Sequence, residues 1–321
     1  MQRNAGTDGL KIALAMMVVA LHASLFTETA EYLNYIFVNG LLRIAVPTFF
    51  IINGFYFYPL IARNRSFTNW AKRLAVLYGI WMLLYLPFYW PVHWELARDQ
   101  IGLLEKLVFG YHHLWYLVGT LGAGAVLHVL RTRSDKHILI SAVALFVMGY
   151  VLQAIGNYAP IEEGVAGYLL NSGWIFRNFL FFGFPLFAIG YLIAKHRLHK
   201  LPRRDPQLLC AIFASVMLLV AESSVHYFLH PAKAGVDMYL SLLVLCPLLF
   251  IFFHSRSARL NTDFLSKLST AIYLTHVFFI NILLNTGWME QGTPLFVMVM
   301  FASTVVSALL VWSDRRWNIL F

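Results

Sequence analysis

The sequence predicts an all-α, polytopic membrane protein of about ten transmembrane helices with both termini cytoplasmic. Three observations carry this: a composition poor in charge, a series of apolar runs each long enough to cross a bilayer, and an alternation of charge between the runs. The 321 residues are 60% hydrophobic and 12% charged, whereas soluble domains carry about 25% charged residues. An aromatic share of 16% suits rings gathered at two membrane-water interfaces.

A span needs about 20 mostly apolar residues, and such runs follow one another along the whole chain. The first, roughly 9–27, comes after Arg3 and contains Lys11; with no small-x-small cleavage site behind it, it reads as an uncleaved span. The second, roughly 37–60, is closed by Arg63 and Arg65, and the third, roughly 73–91, is opened by Lys72 and Arg73. Runs at roughly 113–130 and 138–156 flank Arg131, Arg133 and Lys136. Those at roughly 174–194 and 208–228 flank Lys195, Arg197, Lys200, Arg203 and Arg204. The last three, roughly 237–254, 268–287 and 294–312, are bounded by Arg256, Arg259 and Lys267 and then by Arg315 and Arg316. The intervening connections carry only Arg98, Lys106 and Lys233, together with Glu28, Glu31, Glu95, Asp99, Glu105, Glu162 and Glu163. By the positive-inside rule the cation-rich set is cytoplasmic, and an even number of spans puts both ends there.

The net charge of +9 is thus a topology signal, and no nucleic-acid partner is expected. Cys210 and Cys246 both lie inside apolar runs, so they read as small buried hydrophobes rather than as a disulfide or a metal site. The longest connections, near 92–112 and 157–173, are too short for a further domain, and residues 1–321 are expected to form one transmembrane domain without an appended soluble one. The first of them, from Glu95 to Gly110, has room for a short interfacial helix. No internal repeat of the kind that marks secondary transporters is visible.

Ionisable groups inside spans are costly and are candidates for function. In the first span Lys11 lies at the inner mouth and His22 toward the outer end. Eleven residues at helical geometry give about 16 Å of rise and an offset of about 20°, so the two share a face. Lys11 can simply snorkel to the headgroups; a histidine at the depth of His22 needs a polar partner. Arg43 stands one turn before Val46-Pro47 in an apolar span and needs a buried partner, for structure or for function. Glu222 and His226 are spaced to pair along one helix, and Asp8 is placed to cap the first helix or to meet a nearby cation.

Several segments together resemble one family. Thr7-Asp8-Gly9-Leu10-Lys11 followed by Met16-Met17-Val18-Val19-Ala20-Leu21-His22 resembles the opening of the acyltransferase-3 family of integral membrane acyltransferases, which has Arg or Lys, ten residues, then His. Arg43-Ile44-Ala45-Val46-Pro47-Thr48-Phe49-Phe50-Ile51-Ile52-Asn53-Gly54-Phe55 is similar to its second-span motif, with Asn53 where Ser is more usual. His113-Leu114-Trp115-Tyr116-Leu117 resembles its fourth-span segment, and Ser269-Thr270-Ala271-Ile272-Tyr273-Leu274-Thr275-His276 its ninth. The order of the set is more specific than any member. One departure concerns the Arg-x-x-Arg pair entering the third span: Arg73 fits, but Val76 occupies the second position.

The resemblance implies an enzyme of the bacterial inner membrane that takes an acyl group, acetyl foremost, from cytoplasmic acyl-CoA and delivers it to a hydroxyl of a surface polysaccharide or lipid-linked glycan. Acetyl-CoA or another acyl-CoA is then a donor substrate, and no metal is expected. Lys11, Arg73 and Lys72 would hold donor phosphates, which prefer Lys and Arg. His22 would be the general base on the acceptor hydroxyl or, alternatively, a transient acyl carrier. Arg43, His113, Arg177 and Glu162 would bind the acceptor, Glu162 and Glu163 having a solvated loop as the plain alternative. His112 falls outside the match and reads as interfacial, while His276 reads as a packing hydrogen-bonder whose motif keeps a site role open. The competing expectation is a multi-helix transporter of a small solute, in which the same buried groups form a pathway.

Overall fold

The computed structural model describes residues 4–63, 65–91, 96–159, 164–200, 205–229, 236–256 and 262–314. Among the described residues thirteen α-helices follow one another: α1 (Ala5–His22), α2 (Glu31–Tyr35), α3 (Ala45–Ala62), α4 (Phe67–Tyr89), α5 (Ala97–Phe109), α6 (Trp115–Leu130), α7 (Asp135–Tyr158), α8 (Gly164–Asn171), α9 (Phe184–Lys195), α10 (Asp205–Leu229), α11 (Leu242–Ser255), α12 (Asp263–Asn285) and α13 (Thr293–Asp314). There is no strand among the described residues. Among the described residues eight apolar helical segments are long enough to cross a membrane, α2 and α3 being joined into one of 32 residues (Glu31–Ala62). Two shorter ones, Phe179–Lys195 and Leu242–Ser255, occupy the sixth and eighth positions of the expected series. The chain is therefore a multi-pass, all-α membrane protein, and its helices fall on the ten apolar runs. The connection that begins at Glu95 contains α5, as its length allowed.

Packing places α3 at the centre. Gly54 of α3 and Gly190 of α9 let the two backbones meet: a Cβ on Gly54 would stand 1.9 Å from the Phe187 carbonyl oxygen, and one on Gly190 would stand 2.0 Å from that of Ile51. Without a hydrophobic drive between helices in lipid, such small-residue contacts are a principal source of association. The main core joins Leu14 and Val18 of α1, Phe50 and Ile51 of α3, Tyr85 of α4, Phe187 of α9, Phe250 of α11 and Tyr273 of α12. A second cluster packs Ala15 and Val19 of α1 against Ile272 of α12 and Leu295 and Val299 of α13. Helices α4, α7, α10 and α13 are the peripheral ones, with less than a third of their apolar stretches buried.

Helix ends are closed locally. Asn4 caps α1 by accepting from the Thr7 amide at 2.9 Å. Asp8, expected to cap α1 or to meet a nearby cation, does the second: it faces Lys11 Nζ at 3.4 Å and also accepts from Thr262 Oγ1 at 2.5 Å. The expected Glu222–His226 pair resolves differently. Glu222 accepts from the Leu240 and Ser241 amides (2.8 and 3.1 Å) ahead of α11, and His226 bonds the Tyr158 hydroxyl.

Candidate active site at the outer end of the first helix

α1 ends at His22, and three further imidazoles converge on that end. The His22 ring lies 4.6 Å from that of His112 and 5.3 Å from that of His276, centroid to centroid. His113 completes the group, 4.9 Å from His276. His112 and His113 are delivered by a tight turn ahead of α6. Gly110 has φ +93°, and a Cβ there would stand 2.5 Å from the Trp115 nitrogen, so the turn needs glycine. His112 itself has φ 49°, a left-handed conformation uncommon for a residue with a side chain. Such backbones persist where surrounding structure over-determines them.

The supports of this group are the residues of the sequence motifs. Tyr273 donates to the His113 carbonyl at 2.6 Å, and Asn53 donates to the Tyr116 hydroxyl at 2.7 Å. His276 Nδ1 lies 2.7 and 3.2 Å from the carbonyl oxygens of Tyr273 and Ile272. Carbonyls only accept, so Nδ1 carries a proton, and in the neutral form of the ring the lone pair is then at Nε2. That atom is buried and has no hydrogen-bond partner among the described residues.

Beside His22 a narrow cavity of about 40 Å³ runs to Arg43, Arg177 and Asp237, walled by Val46, Pro47 and Trp115. Asp237 holds both guanidiniums: Arg43 donates through Nη1 to Oδ1, and Arg177 Nη1 lies 3.2 Å from Oδ2. Arg43 also donates to Asn39 Oδ1 at 2.9 Å, and the Arg177 guanidinium sits 5.5 Å over the Trp115 ring. Two cations against one carboxylate leave an excess positive charge facing the cavity. Gln153 sets the height of Asp237. Its Oε1 accepts from the Asp237 and Met238 amides (2.8 and 2.9 Å) while its Nε2 donates to the Met238 carbonyl at 2.9 Å.

The structure thus brings His22, His113, Arg43 and Arg177 to one place. Arg43 has the buried acidic partner that its position requires. Lys11 lies on the same helix but is engaged at the inner end, 3.1 Å from Ser266 Oγ, beside Asp8 and 5.5 Å over the Tyr56 ring. Lys72 and Arg73 are exposed near the start of α4, and no hydrogen bond or ion pair among the described residues ties them to Lys11. Glu162 and Glu163 lie outside the described residues. Sequence reasoning missed Asp237, Gln153 and Asn39, and it read His112 as interfacial without foreseeing that this exposed residue lays its ring, tilted, against that of His22. Asp237 carried a signal, a lone carboxylate at the head of an apolar run, but it was absorbed into a span boundary.

The sequence profile of the acyltransferase-3 family, described as an acyltransferase domain, matches residues 4–313. The chain belongs to the acyltransferase-3 family. The imidazole group, the Arg43–Asp237–Arg177 clamp and their supports are therefore features of an acyltransferase domain built within a membrane bundle. Curated relatives carry a different name. An amino-acid racemase of Enterococcus faecalis is 24% identical over 98% of this chain and 47% of its own length. A serine/alanine racemase of Enterococcus gallinarum is 27% identical over 85% of this chain and 40% of its own. The acyltransferase-3 chain spans about half the length of the curated relatives it matches, or less. No solved structure matches it.

Proposed function

We propose that this acyltransferase-3 protein, in a bacterial inner membrane with both termini inside, moves an acetyl group from cytoplasmic acetyl-CoA to a hydroxyl of a surface polysaccharide or lipid-linked saccharide. The single observation that carries the reading is the imidazole group at the end of α1, open to a cavity edged by an excess cation. His22 accepts the proton of the acceptor hydroxyl as its oxygen attacks the thioester carbonyl. The carbon–sulfur bond breaks, the oxygen–acyl bond forms, and the thiolate leaves to be protonated as free thiol. Such general-base assistance is worth about 10²–10⁴-fold in rate. Arg43 and Arg177, held by Asp237, offer donors to the acceptor's oxygens, with His113 behind them.

The experiment is turnover of acetyl-CoA to free CoA by the purified protein with crude surface glycan. Thiol release that is lost in His22→Ala supports the enzyme. No release by the wild type, with no donor binding either, sinks the acetyl-CoA assignment.

A second reading is favoured by the names of the curated relatives, which are racemases of amino acids. In it the bundle carries a small solute, and an amino acid's carboxylate is the group that two guanidiniums recognise. Uptake of labelled serine or alanine into proteoliposomes without any acyl thioester would favour the carrier over the enzyme.

A further inference from the structure

The inner ends of α3 and α9 finish beside each other, and between them opens a pocket of about 450 Å³. Its lining includes Arg63, Arg197, Lys200 and His199 over Phe55 and Tyr58, and no carboxylate among the described residues is part of it. The fold sets each of these groups. Arg63 terminates α3, its amide bonded to the Pro59 carbonyl at 3.2 Å. Beyond α9 the chain folds back through Arg197 in the left-handed region (φ 53°) into a single turn, Leu198–Lys200, in which the Lys200 amide donates to the Arg197 carbonyl at 2.8 Å. The His199 ring is lodged 4.9 Å from Phe55 and 5.0 Å from His254.

Nearby Lys195 is already spent on Asp135 (2.5 Å), which also takes His196 at 3.0 Å. Arg63, Arg197 and Lys200, by contrast, have no carboxylate partner among the described residues. Three permanent cations without counter-ions, converging on a concave floor of aromatic rings, match several phosphates attached to a planar base. Arg and Lys are the phosphate-binding side chains, and the volume falls in the range of small-ligand sites. α3 connects this pocket to the outer cavity, because Val46 and Pro47 at its other end wall the space beside His22. From Pro59 to Pro47 the helix rises about 18 Å, a distance of the order that an extended pantetheine arm spans.

We propose that this pocket binds the phosphorylated end of a nucleotide-bearing molecule, for which the acyl-CoA donor is the fitting substrate. Its identity as donor rests on the acyltransferase reading; the phosphate-ester site does not. A lipid headgroup offers the same phosphate chemistry, and the experiment separates the two sources.

The full chain in phosphatidylcholine nanodiscs is titrated with CoA by calorimetry, as wild type, Arg63→Gln/Lys200→Gln, Arg197→Asn and the control Lys136→Gln. Asn is chosen at Arg197 because it tolerates the left-handed backbone; gel filtration and circular dichroism verify folding, and Arg197→Lys serves as the conservative variant. The expected result is a CoA Kd raised at least tenfold in the first two variants, near wild type in Arg197→Lys and unchanged in the control. Dephospho-CoA should bind the wild type more weakly than CoA does, and the variants should narrow that difference. Unchanged CoA affinity in both variants overturns the site, and so does absence of CoA binding by the wild type. If CoA affinity is unchanged while co-purifying phosphatidylglycerol falls in the variants, the pocket belongs to lipid and the proposal is also lost. CoA binding that depends on these residues without any thiol release upholds the site and defeats the acyltransferase reading.

Discussion

His22 gains its environment from three separate segments, so its substitution should affect chemistry more than folding. Its neighbours within ring contact are His112 and His276, neither of them hydrogen-bonded to it. His22→Ala is expected to lower acyl transfer by about 10²–10⁴-fold with little change in thermal unfolding, as read by turnover and melting of the same preparation. If His22 is instead an acyl carrier, a stopped reaction with labelled donor leaves label on wild type and none on His22→Ala. Asp237 is the opposite kind of residue. With Arg43 at 14% and Asp237 at 12% side-chain exposure, removing the carboxylate leaves the largely buried Arg43 without its charge partner, which costs about 3 kcal/mol. Asp237→Asn should therefore melt well below wild type in detergent. Adding Arg43→Gln should recover part of the loss, as coupled partners do; strict additivity of the two would disprove the coupling.

At the scale of elements, two π-helical turns stand next to the clamp. The turn Ile36–Gly40 contains Asn39, which supports Arg43, and the turn Phe179–Gly183 begins two residues after Arg177. Asn178 sets the second by accepting from the Leu180 and Phe181 amides at 2.8 and 3.0 Å. Such turns recur at functional sites because the extra residue re-aims side chains. The α3–α9 crossing is rigid for a different reason: the atoms facing Gly54 and Gly190 are backbone carbonyls, which cannot swing aside. Gly54→Ala or Gly190→Ala should destabilise the bundle by about 1–3 kcal/mol or more, measured by thermal unfolding. α13 begins at a pH-dependent clasp. Glu28 accepts from the Thr293 amide and hydroxyl, both at 2.9 Å. Bonds from its own amide, then from Thr293, hold its carboxyl below the ordinary value. A lowered folded pKa means that the clasp is fully formed above the ordinary carboxylate range and is lost as pH falls through the lower folded value. Amide exchange near Thr293 should quicken at that acid limb in wild type, and Glu28→Gln should abolish the dependence.

For the whole molecule, charge decides orientation and burial decides which helices hold the site. The site is drawn from the interior helices α1 and α12, the turn into α6 and the segments leading into α3, α9 and α11, while lipid-facing α4 carries the exposed Lys72 and Arg73. With both termini inside, Ser134 faces the cytoplasm and Thr27 the outside. In a background with Cys210 and Cys246 replaced, Thr27→Cys should react with a membrane-impermeant thiol reagent in intact cells, and Ser134→Cys only after lysis. The reverse pattern would invert the topology and place the acceptor side within the cytoplasm.

Periodic information survives in one dimension, and what the sequence determined by itself was of that kind. Apolar runs, their number and the alternation of Arg and Lys between them are local quantities, because a bilayer demands about 20 apolar residues whatever the neighbours are. The shared face of Lys11 and His22 was legible for the same reason, being fixed by helical geometry alone. The motif residues Asn53, His113, Tyr273 and His276 were legible as a set, though not as contacts. Tertiary structure alone decided that His112 joins His22, that Asp237 binds both Arg43 and Arg177, and that Gln153 positions Asp237. It also decided that Arg63, Arg197 and Lys200 share a pocket. Each depends on which faces of distant helices meet, and that is set by close packing at Gly54 and Gly190 and by turns such as Gly110–Leu114, whose geometry no linear pattern encodes.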